Sequence, residues 1–384
     1  MTYEGNCRLG DLFENRREKG RAELPVLSVT MDQGLVDRAD LDRKQETSLE
    51  PSDHLLVRPG DIAYNMMRMW QGAFGLADRT GIVSPAYVVL KPRAGIDPGY
   101  ASFLFRIPRM QYLLWAYSYG LTDDRLRLYY QDFAKIPVWV HARARQPEIA
   151  AVLAASHDRI ALQRALLENS KRVRSALLDR LLKPVGRGRR SKWKEYEFGE
   201  IANRVRSTFD PLRSPNQAWC VELEHIEPGL GQLIGSTVTT PAASTKLHFE
   251  AGDVLFGKLR PYLRKYWVAD RDGVCSSEFW VLRSAAQACT PTFLACLLQS
   301  ERFMRAAAAS AGSKMPRAEW DYVSGTQVEI PPLDEQSTIS RRLSPIDDYI
   351  KRLGAYVAAL QREHHALSLM LFAHRTSPSR RLLA

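Results

Sequence analysis

A heptad seam of apolar residues dominates the C-terminal part of the chain. The seam residues follow alternating steps of four and three, and nine of the ten are apolar: Ile339, Leu343, Ile346, Ile350, Leu353, Val357, Leu360, His364, Leu367 and Leu371. Such a seam is typical of a helix that pairs with another helix. Ser344, Pro345 and Asp347 resemble an N-cap with a proline at the first helical position, so we expect a break or kink there and a main helix over about 345–373.

A weaker seam lies in the middle of the chain. A shift of 190 residues places Gln146 over Gln336 and continues the seam, with apolar residues at six of the ten equivalent positions. This pattern predicts a first long helix over 143–182, which can bury its stripe against a second long helix over 334–374.

Ahead of each predicted helix, short β-branched and aromatic runs alternate with glycine and proline. The runs 62–64, 87–90, 254–256 and 279–282 predict strands. Residues 100–114 and 292–309 have helical spacing and few helix breakers. We therefore expect an α/β fold of mixed α+β type.

The chain is an internal duplication. A shift of 192 residues lays 60–90 over 252–282 without a gap, and ten of the 31 positions are identical. The same shift pairs Gly120 with Gly312 and Arg125 with Arg317. Because chance does not produce this agreement at one shift, each half is expected to fold as the same unit.

The duplication predicts five segments. They are a first globular domain (1–142), a first helix (143–182), a basic linker (183–192), a second globular domain (193–333) and a second helix (334–374). The linker, KPVGRGRRSK, is either a solvated hinge or a direct phosphate contact.

Charge narrows the range of partners. The 384 residues carry a net charge of +11, and the sequence pI is about 9.5. The surplus is +9 in residues 1–192 and +2 in the rest. A polyanionic partner such as nucleic acid fits this balance, as do an anionic membrane surface or simple solubility.

Neither a membrane span nor a signal peptide is visible in the sequence, so we expect a cytoplasmic protein. The five cysteines are odd in number and show no C-x-x-C spacing, which favours buried thiols in a reducing compartment. The histidines have no metal-ligand spacing, and His364 in the seam is expected to help fix the register of the helix pair.

Two copies of a unit that each end in a striped helix can bury both stripes by pairing the helices. Equal copies then pack about a pseudo-twofold axis, with the helices antiparallel and the globular domains at opposite ends. A helix of roughly 40 Å corresponds to about a dozen base pairs of DNA. We therefore expect a molecule with two DNA-reading domains that a helical spacer separates.

The chain resembles the DNA specificity subunit of type I restriction-modification systems. The resemblance is carried by 60–90, by 252–282 with its FGKLRPYLRK core, by the run IPPLDEQ at 330–336 and by the helix that follows. It implies two target recognition domains that each bind one half of a split, asymmetric site in double-stranded DNA. It also implies spacer helices that dock two methyltransferase subunits, to which the restriction (motor-nuclease) subunits attach. S-adenosylmethionine, magnesium and ATP would be bound by these partners, and this chain would bind no cofactor.

The first copy departs from the family pattern at the start of its helix. Where the second copy has Pro-Pro and Glu-Gln, the first has HARARQ at 141–146, so only the glutamine remains. The two helix starts therefore offer different residues to a methyltransferase subunit.

Two surfaces in each copy have the residue types that DNA recognition needs. The first comprises Asn65, Arg68, Trp70 and Gln71 in one copy and Lys258, Arg260, Tyr262, Arg264 and Lys265 in the other. The second comprises Thr122, Arg125 and Arg127, and Ser313, Lys314 and Arg317. The alternatives are a solvated loop, with Arg68 and Arg260 paired to Asp61 and Asp253, and a plain turn. Glu335 and Gln336 are either helix-start residues or partner contacts.

Enzyme motifs are not found in the sequence. It contains no Walker A run, no Asn-Pro-Pro-aromatic motif, no nucleophile elbow and no H-E-x-x-H. The preferred interpretation is a non-catalytic DNA recognition subunit. The main alternative is a coiled-coil scaffold or adaptor without DNA specificity, and a third is a self-contained nuclease or methyltransferase.

Overall fold

A computed structural model describes residues 5–31, 33–41, 50–122, 125–183, 192–214, 217–309 and 315–373. The chain divides into two compact units. Unit 1 comprises Met1–Leu162 with Ala358–Ala384, and unit 2 comprises Gln163–Val357. Two long helices each contribute one part to unit 1 and the other part to unit 2.

Unit 1 is built on a four-stranded antiparallel sheet. Its strands are β1 (Gly5–Arg8), β2 (Phe13–Arg16), β3 (Leu27–Val29), β4 (Leu35–Asp37), β5 (Leu55–Val57), β6 (Ile62–Asn65), β7 (Phe74–Leu76), β8 (Gly81–Val83), β9 (Tyr87–Pro92) and β10 (Pro137–Val140), and its helices are α1 (Leu9–Leu12), α2 (Pro98–Leu104), α3 (Pro108–Ala116), α4 (Tyr130–Phe133) and the first part of α5 (Gln146–Leu181). The main sheet has the order β2-β9-β6-β7, and β1-β10, β3-β4 and β5-β8 form separate ladders. Aromatic side chains between this sheet and the helices, such as Phe13, Phe105 and Phe133, form the core.

Unit 2 repeats this plan. Its strands are β11 (Lys194–Glu197), β12 (Ala202–Val205), β13 (Thr208–Phe209), β14 (Trp219–Val221), β15 (Ile226–Glu227), β16 (Gln232–Leu233), β17 (Thr237–Val238), β18 (Lys246–Phe249), β19 (Val254–Gly257), β20 (Tyr266–Val268), β21 (Gly273–Ser276), β22 (Phe279–Ser284) and β23 (Gln327–Ile330), and its helices are α6 (Phe198–Ile201), α7 (Pro291–Gln299), α8 (Glu301–Ala309), α9 (Trp320–Ser324) and the first part of α10 (Leu333–Leu371). The main sheet has the order β12-β22-β19-β20.

The strand registers confirm the duplication. Asn15 lies opposite Leu90 on the main sheet of unit 1, and Arg204 lies opposite Leu282 on that of unit 2. Equivalent backbone hydrogen bonds continue the β1–β10 and β11–β23 ladders into the first helix of each unit, from Leu9 N to Ile136 O at 3.0 Å and from Phe198 N to Thr326 O at 2.9 Å. The mixed α/β class expected from the sequence is also confirmed.

The units differ in their smaller sheets. In unit 2, β13-β18-β21-β14-β17 form one five-stranded sheet, in which β14 and β21 are parallel. The described residues of unit 1 form two separate two-stranded ladders, β3-β4 and β5-β8. A common main sheet therefore carries a different second layer in each unit.

In unit 1, the start of α5 packs against the end of α10. Ile149 and Leu153 share a core with Leu367 and Leu371. Further along, Ser156 Oγ lies 3.1 Å from Nδ1 of His364. Partner numbers on α10 fall as numbers on α5 rise, so the two segments are antiparallel.

Unit 2 shows the same direction of pairing. Arg174 forms an ion pair with Asp347, and Leu178 packs against Leu343. Six of the seven seam residues of α10 from Ile339 to Leu360 are buried, and Ile346 is half-buried. The predicted antiparallel helix pair is confirmed.

One local prediction is wrong. The helix α10 begins at Leu333 and continues through Pro345, instead of starting there. Buried seam residues on both sides, Leu343 and Ile350, hold the helix together across the proline. The helical patches 100–114 and 292–309 each form two helices, because Pro108 starts α3 and the Ser300 hydroxyl accepts from Phe303 N to start a new helix.

The five cysteines are free thiols, and four of them are buried, as expected from the sequence. Burial raises the pKa of the Cys289 thiol to about 12. Within the described ranges, no helix combines the length and the apolar character that crossing a bilayer requires.

Candidate nucleic-acid interface

The first candidate surface in unit 1 is a tight turn at the end of β6, which we call turn 1 (65–72). Asn65 ends the strand, and its Oδ1 accepts a hydrogen bond from Met67 N at 3.0 Å. A 3-10 turn follows, and Gly72 closes it with φ 92° and ψ 12°. Arg68 and Gln71 are exposed on this turn.

Trp70 has a different place in turn 1. Its ring is partly buried and packs against the core of unit 1. Its indole N–H is buried and has no hydrogen-bond partner among the described residues. Trp70 therefore anchors the turn to the core, whereas Arg68 and Gln71 remain available at the surface.

The equivalent turn in unit 2, turn 2 (258–265), contains two non-glycine residues in the left-handed region. They are Arg260, with φ 52°, and Arg264, with φ 50°, and no other non-glycine residue in the described ranges has a positive φ. Pro261 begins a 3-10 turn between them. Arg260 and Tyr262 are exposed, Tyr262 at 60%. Strained residues of this kind persist where the surrounding structure holds them.

Arg264 and Lys265 provide that support. The Arg264 guanidinium donates to Gln299 O at 3.1 Å and forms an ion pair with Glu301. Lys265 Nζ donates to Leu223 O at 2.6 Å. Both side chains were predicted to contact DNA; in the structure they fasten turn 2 through Gln299, Glu301 and Leu223.

The second candidate surface of unit 1 adjoins turn 1. It is a hairpin of residues 119–122 and 125–128, in which Tyr119 and Arg127 exchange two backbone hydrogen bonds. Thr122, Arg125 and Arg127 are exposed on it. The backbone N of Leu128 donates to Met66 O at 2.8 Å, so the two surfaces predicted separately are neighbours.

Unit 2 joins its two surfaces by the same bond. Ala318 N donates to Lys258 O at 2.9 Å, and Arg260 N donates to Pro316 O at 2.7 Å. The half-buried Lys258 thus lies beside Arg317. Ser313 and Lys314, also predicted contacts, lie outside the described residues.

Arg317 is engaged by a carboxylate that the sequence analysis missed. Its guanidinium pairs with Glu278 at 3.0 Å, and the hydrogen bond from Arg317 lowers the pKa of the Glu278 carboxyl. The aligned residue in unit 1 is Ala86. The presence of a carboxylate in only one copy could have indicated that Arg317 has a partner that Arg125 lacks. Arg317 is less available to DNA than Arg125.

The alternative pairing of Arg68 and Arg260 with nearby aspartates is wrong. Asp61 pairs with Arg16 at 2.7 Å, and Asp253 pairs with Arg283 at 2.8 Å. Each aspartate also accepts from a backbone N–H three residues earlier, at 2.9 Å. These aspartates brace the turns that precede β6 and β19. Within the described ranges, no ion pair engages the guanidinium of Arg68 or Arg260.

Gln336 is a helix-start residue and not a partner contact. Its side chain is fully buried, its Oε1 accepts from Thr290 N at 2.9 Å and its Nε2 donates to Ala288 O and Pro331 O. Gln146 makes the same three bonds in unit 1, with Asp97, Gly95 and His141. Gln336 therefore presents no surface to a partner.

Glu335 lies differently, in an open groove of about 1020 Å³ in unit 2. Cations from both long helices line this groove, among them Arg180, Arg341 and Arg342, over an apolar floor that includes Leu181 and Ile339. This arrangement leaves Glu335 accessible. The described residues contain no cluster of three side chains that could hold a metal ion.

The sequence profile described as Type I restriction modification DNA specificity domain matches residues 190–355. The matched segment lies almost entirely within unit 2. The family resemblance inferred from the sequence is thereby confirmed.

Two curated relatives of this specificity domain are subunits of type I restriction enzymes. The HindI specificity subunit of Haemophilus influenzae is 28% identical over 167 residues, which cover 42% of this chain and 36% of that protein. The EcoDI specificity subunit of Escherichia coli is 26% identical over 175 residues, covering 45% of this chain and 37% of that protein. The matched segment thus spans little more than a third of each relative.

Solved structures extend the likeness to nearly the whole chain. A chain from a structural study of complex assembly and conformational transition in a type I R-M system superposes with a TM-score of 0.58 at 14% identity, over 97% of this chain and 98% of that one. The S subunit of a type I restriction-modification system from M. genitalium gives 0.56 at 14% identity, over 98% and 97%. At this identity the likeness establishes the fold.

Proposed function

We propose that this chain is the DNA-binding specificity subunit of a type I restriction-modification complex. Each unit reads one half of a bipartite, asymmetric site in double-stranded DNA. The observation that carries the proposal is the repeated joining of two cation-bearing surfaces, through Leu128 and Met66 in unit 1 and through Ala318 and Lys258 in unit 2. Because the same backbone bond joins the two surfaces in each unit, the guanidinium groups of Arg68 and Arg260 occupy equivalent positions.

The exposed groups match the chemistry of base recognition. Arginine bonds guanine through two donors, and glutamine bonds adenine through its amide. Arg68 and Gln71 in turn 1, and Arg260 with Tyr262 in turn 2, are exposed. Lys258, Thr122, Arg125 and Arg127 add nearby phosphate contacts.

The long helices set the gap between the half-sites and dock two methyltransferase subunits, to which restriction subunits attach. α5 also has exposed apolar residues outside its seam: Val152, Leu162, Leu166 and Val173. A helix with a second apolar face suits contact with a further helix. At the start of α10, Glu335 and the cationic groove around it add a polar contact surface.

The chain itself is proposed to be non-catalytic and cytoplasmic. The methyl donor S-adenosylmethionine, magnesium and ATP are assigned to the partner subunits, which carry out methylation and cleavage. The test is to incubate the purified chain alone with DNA and S-adenosylmethionine; methyl transfer or cleavage would contradict this assignment.

Salt dependence separates DNA recognition from the scaffold alternative. The complex with its methyltransferase subunits is titrated with duplex DNA at two salt concentrations. We expect affinity to fall steeply with salt, since each neutralised phosphate contributes about 0.9 to the logarithmic slope. A protein scaffold would show weak binding and little slope.

The target itself is found by sequencing the host methylome with and without the gene. Loss of one bipartite adenine motif is expected. An unchanged methylome, together with flat salt dependence, would contradict the proposal.

A further inference from the structure

Unit 1 contains a groove of about 450 Å³ that adjoins turn 1. Met66 of the turn lines it, as do Asn15 at the end of β2 and Tyr129 beside α4. Since Leu128 N bonds Met66 O, the wall that carries Tyr129 is fastened directly to turn 1. The groove and the candidate DNA-binding surface are therefore continuous within one unit.

The groove contains cationic and amide groups. Arg17 and Lys19 are exposed on one side, and no ion pair or hydrogen bond within the described ranges engages the Arg17 guanidinium. Gln131 is exposed and Asn15 half-buried, and both supply amides. Guanidinium and amide groups are those that bond guanine and adenine edges, and cations hold phosphates.

Negative charge in the groove is low. Among the described residues, the one carboxylate that lines the groove is Asp132, whose side chain is 14% exposed and paired with Lys135 at 2.9 Å. Tyr129 is 44% exposed, and Tyr87 also lines the groove. The accessible groups are thus cationic, amide or phenolic.

Unit 2 has different chemistry at the equivalent place. By strand register, Asn15 and Arg17 correspond to Arg204 and Arg206. The shift of 190 residues places Glu319 and Asp321 where unit 1 has Tyr129 and Gln131. Both carboxylates act on the nearby Arg204, partly offsetting the fall in its pKa caused by burial and by Arg206.

We propose that this groove is a second contact surface of unit 1 for duplex DNA, and that unit 2 has no counterpart. Arg17 and Lys19 hold the backbone or a guanine, and Gln131 reads a base edge in the half-site bound by unit 1. The inference rests on the proposed DNA-binding function. It goes further by assigning residues outside the duplicated turns and by making the two half-site contacts unequal.

The test uses the full chain in complex with its methyltransferase subunits. Four duplexes are compared: the bipartite site, the site with either half scrambled, and the site with both scrambled. Arg17→Ala and Gln131→Ala should each weaken binding to the bipartite site at least about fivefold. For Gln131→Ala, the loss should disappear when one particular half is scrambled, because a neutral amide contributes through base recognition. Both side chains are exposed, so the melting temperature should not change.

Arg206→Ala is the matched control, since Arg206 is exposed at the equivalent position of unit 2. It removes the same charge and should change affinity less than twofold. Unchanged binding by both Arg17→Ala and Gln131→Ala, or an equal loss with Arg206→Ala, would overturn the groove assignment alone. Wild-type complex that does not prefer the bipartite duplex would overturn the proposed function, and the groove with it.

Discussion

Turns 1 and 2 occupy the same place in the two units but are closed differently. The position that must adopt a left-handed conformation is Gly72 in unit 1, with φ 92°, and Arg264 in unit 2, with φ 50°. Glycine adopts this conformation without a steric penalty, whereas another residue costs about 1–2 kcal/mol. Unit 2 offsets this cost with bonds from the Arg264 side chain to Gln299 and Glu301.

The same difference recurs elsewhere in the duplicated frame. Asp61 is held by Arg16 from strand β2, but Asp253 is held by Arg283 from strand β22. Between the long helices, unit 1 has a Ser156–His364 contact and unit 2 has an Arg174–Asp347 ion pair. The duplication preserved the positions at which the backbone is held, whereas the side chains that hold it differ between the two units.

The largest expected contrast concerns the two buried aspartates. Asp61→Ala should lower the free energy of unfolding of unit 1 by roughly 3 kcal/mol, because it leaves the Arg16 side chain, only 7% exposed, with Glu18 as its remaining partner. Asp253→Ala should cost less in unit 2, since the Arg283 side chain is 44% exposed and keeps Glu250. Chemical denaturation with hydrogen exchange at β6 and β19 measures both, and equal losses would remove the contrast.

The second largest expected effect concerns DNA binding by the exposed arginines of the two turns. Arg260→Ala and Arg68→Ala are each expected to weaken DNA binding by about 1–3 kcal/mol, as loss of a bidentate base contact does. Titration of duplex into the assembled complex gives the affinity. Arg79→Ala in unit 1 is the control, because Arg79 is exposed but paired with Asp78 at 2.9 Å. An effect of Arg79→Ala as large as that of Arg68→Ala would indicate general charge in place of specific contact.

Substitutions at the left-handed position should differ by about 1 kcal/mol. Arg264→Ala loses the side-chain bonds and keeps the strained backbone, whereas Arg264→Gly loses the same bonds but relieves the strain. Unfolding experiments should therefore find Arg264→Gly the more stable variant. In unit 1, Gly72→Ala should destabilise by a similar amount. Greater stability of Arg264→Ala would show that backbone strain does not govern turn 2.

The smallest contrast is a pH dependence confined to unit 1. Burial, with contributions from His157, Arg106 and His365, lowers the pKa of His364 below its usual value of 6.5. The unfolded chain then binds a proton more readily, so stability is full above pH 6.5 and falls as pH drops through and below that value. His364→Gln should remove this dependence in unfolding midpoints measured between pH 7.5 and 5.5. If the unfolding midpoint of the variant changed with pH as steeply as that of the wild type, another group would be responsible.

The repeat made most of the frame predictable from the sequence. A shift of 192 residues located β6, β9, β19 and β22, because buried strands keep apolar and aromatic residues after duplication. The heptad seam gave the helix pair for the same reason. The five-stranded sheet of unit 2 was not foreseen, since strands of two or three residues, such as β14 and β17, carry little pattern.

The candidate site was predicted less well, because sequence shows residue type but not what a side chain contacts. The sequence indicated both surfaces, but it did not show that Arg264 and Lys265 bind internal carbonyl oxygens or that Trp70 packs on the core. It also missed the groove at Arg17 and Gln131, whose members are more than 100 residues apart in the chain. Strand register and loop packing bring them together.

Hydrogen exchange with and without bound bipartite duplex tests the central claim most directly. If each unit reads its own half-site through its own turn, exchange should slow in both 66–72 and 258–264. Scrambling one half of the duplex should abolish the protection of one turn and leave the other protected. Protection of neither turn, or loss from both when a single half is scrambled, would contradict the account.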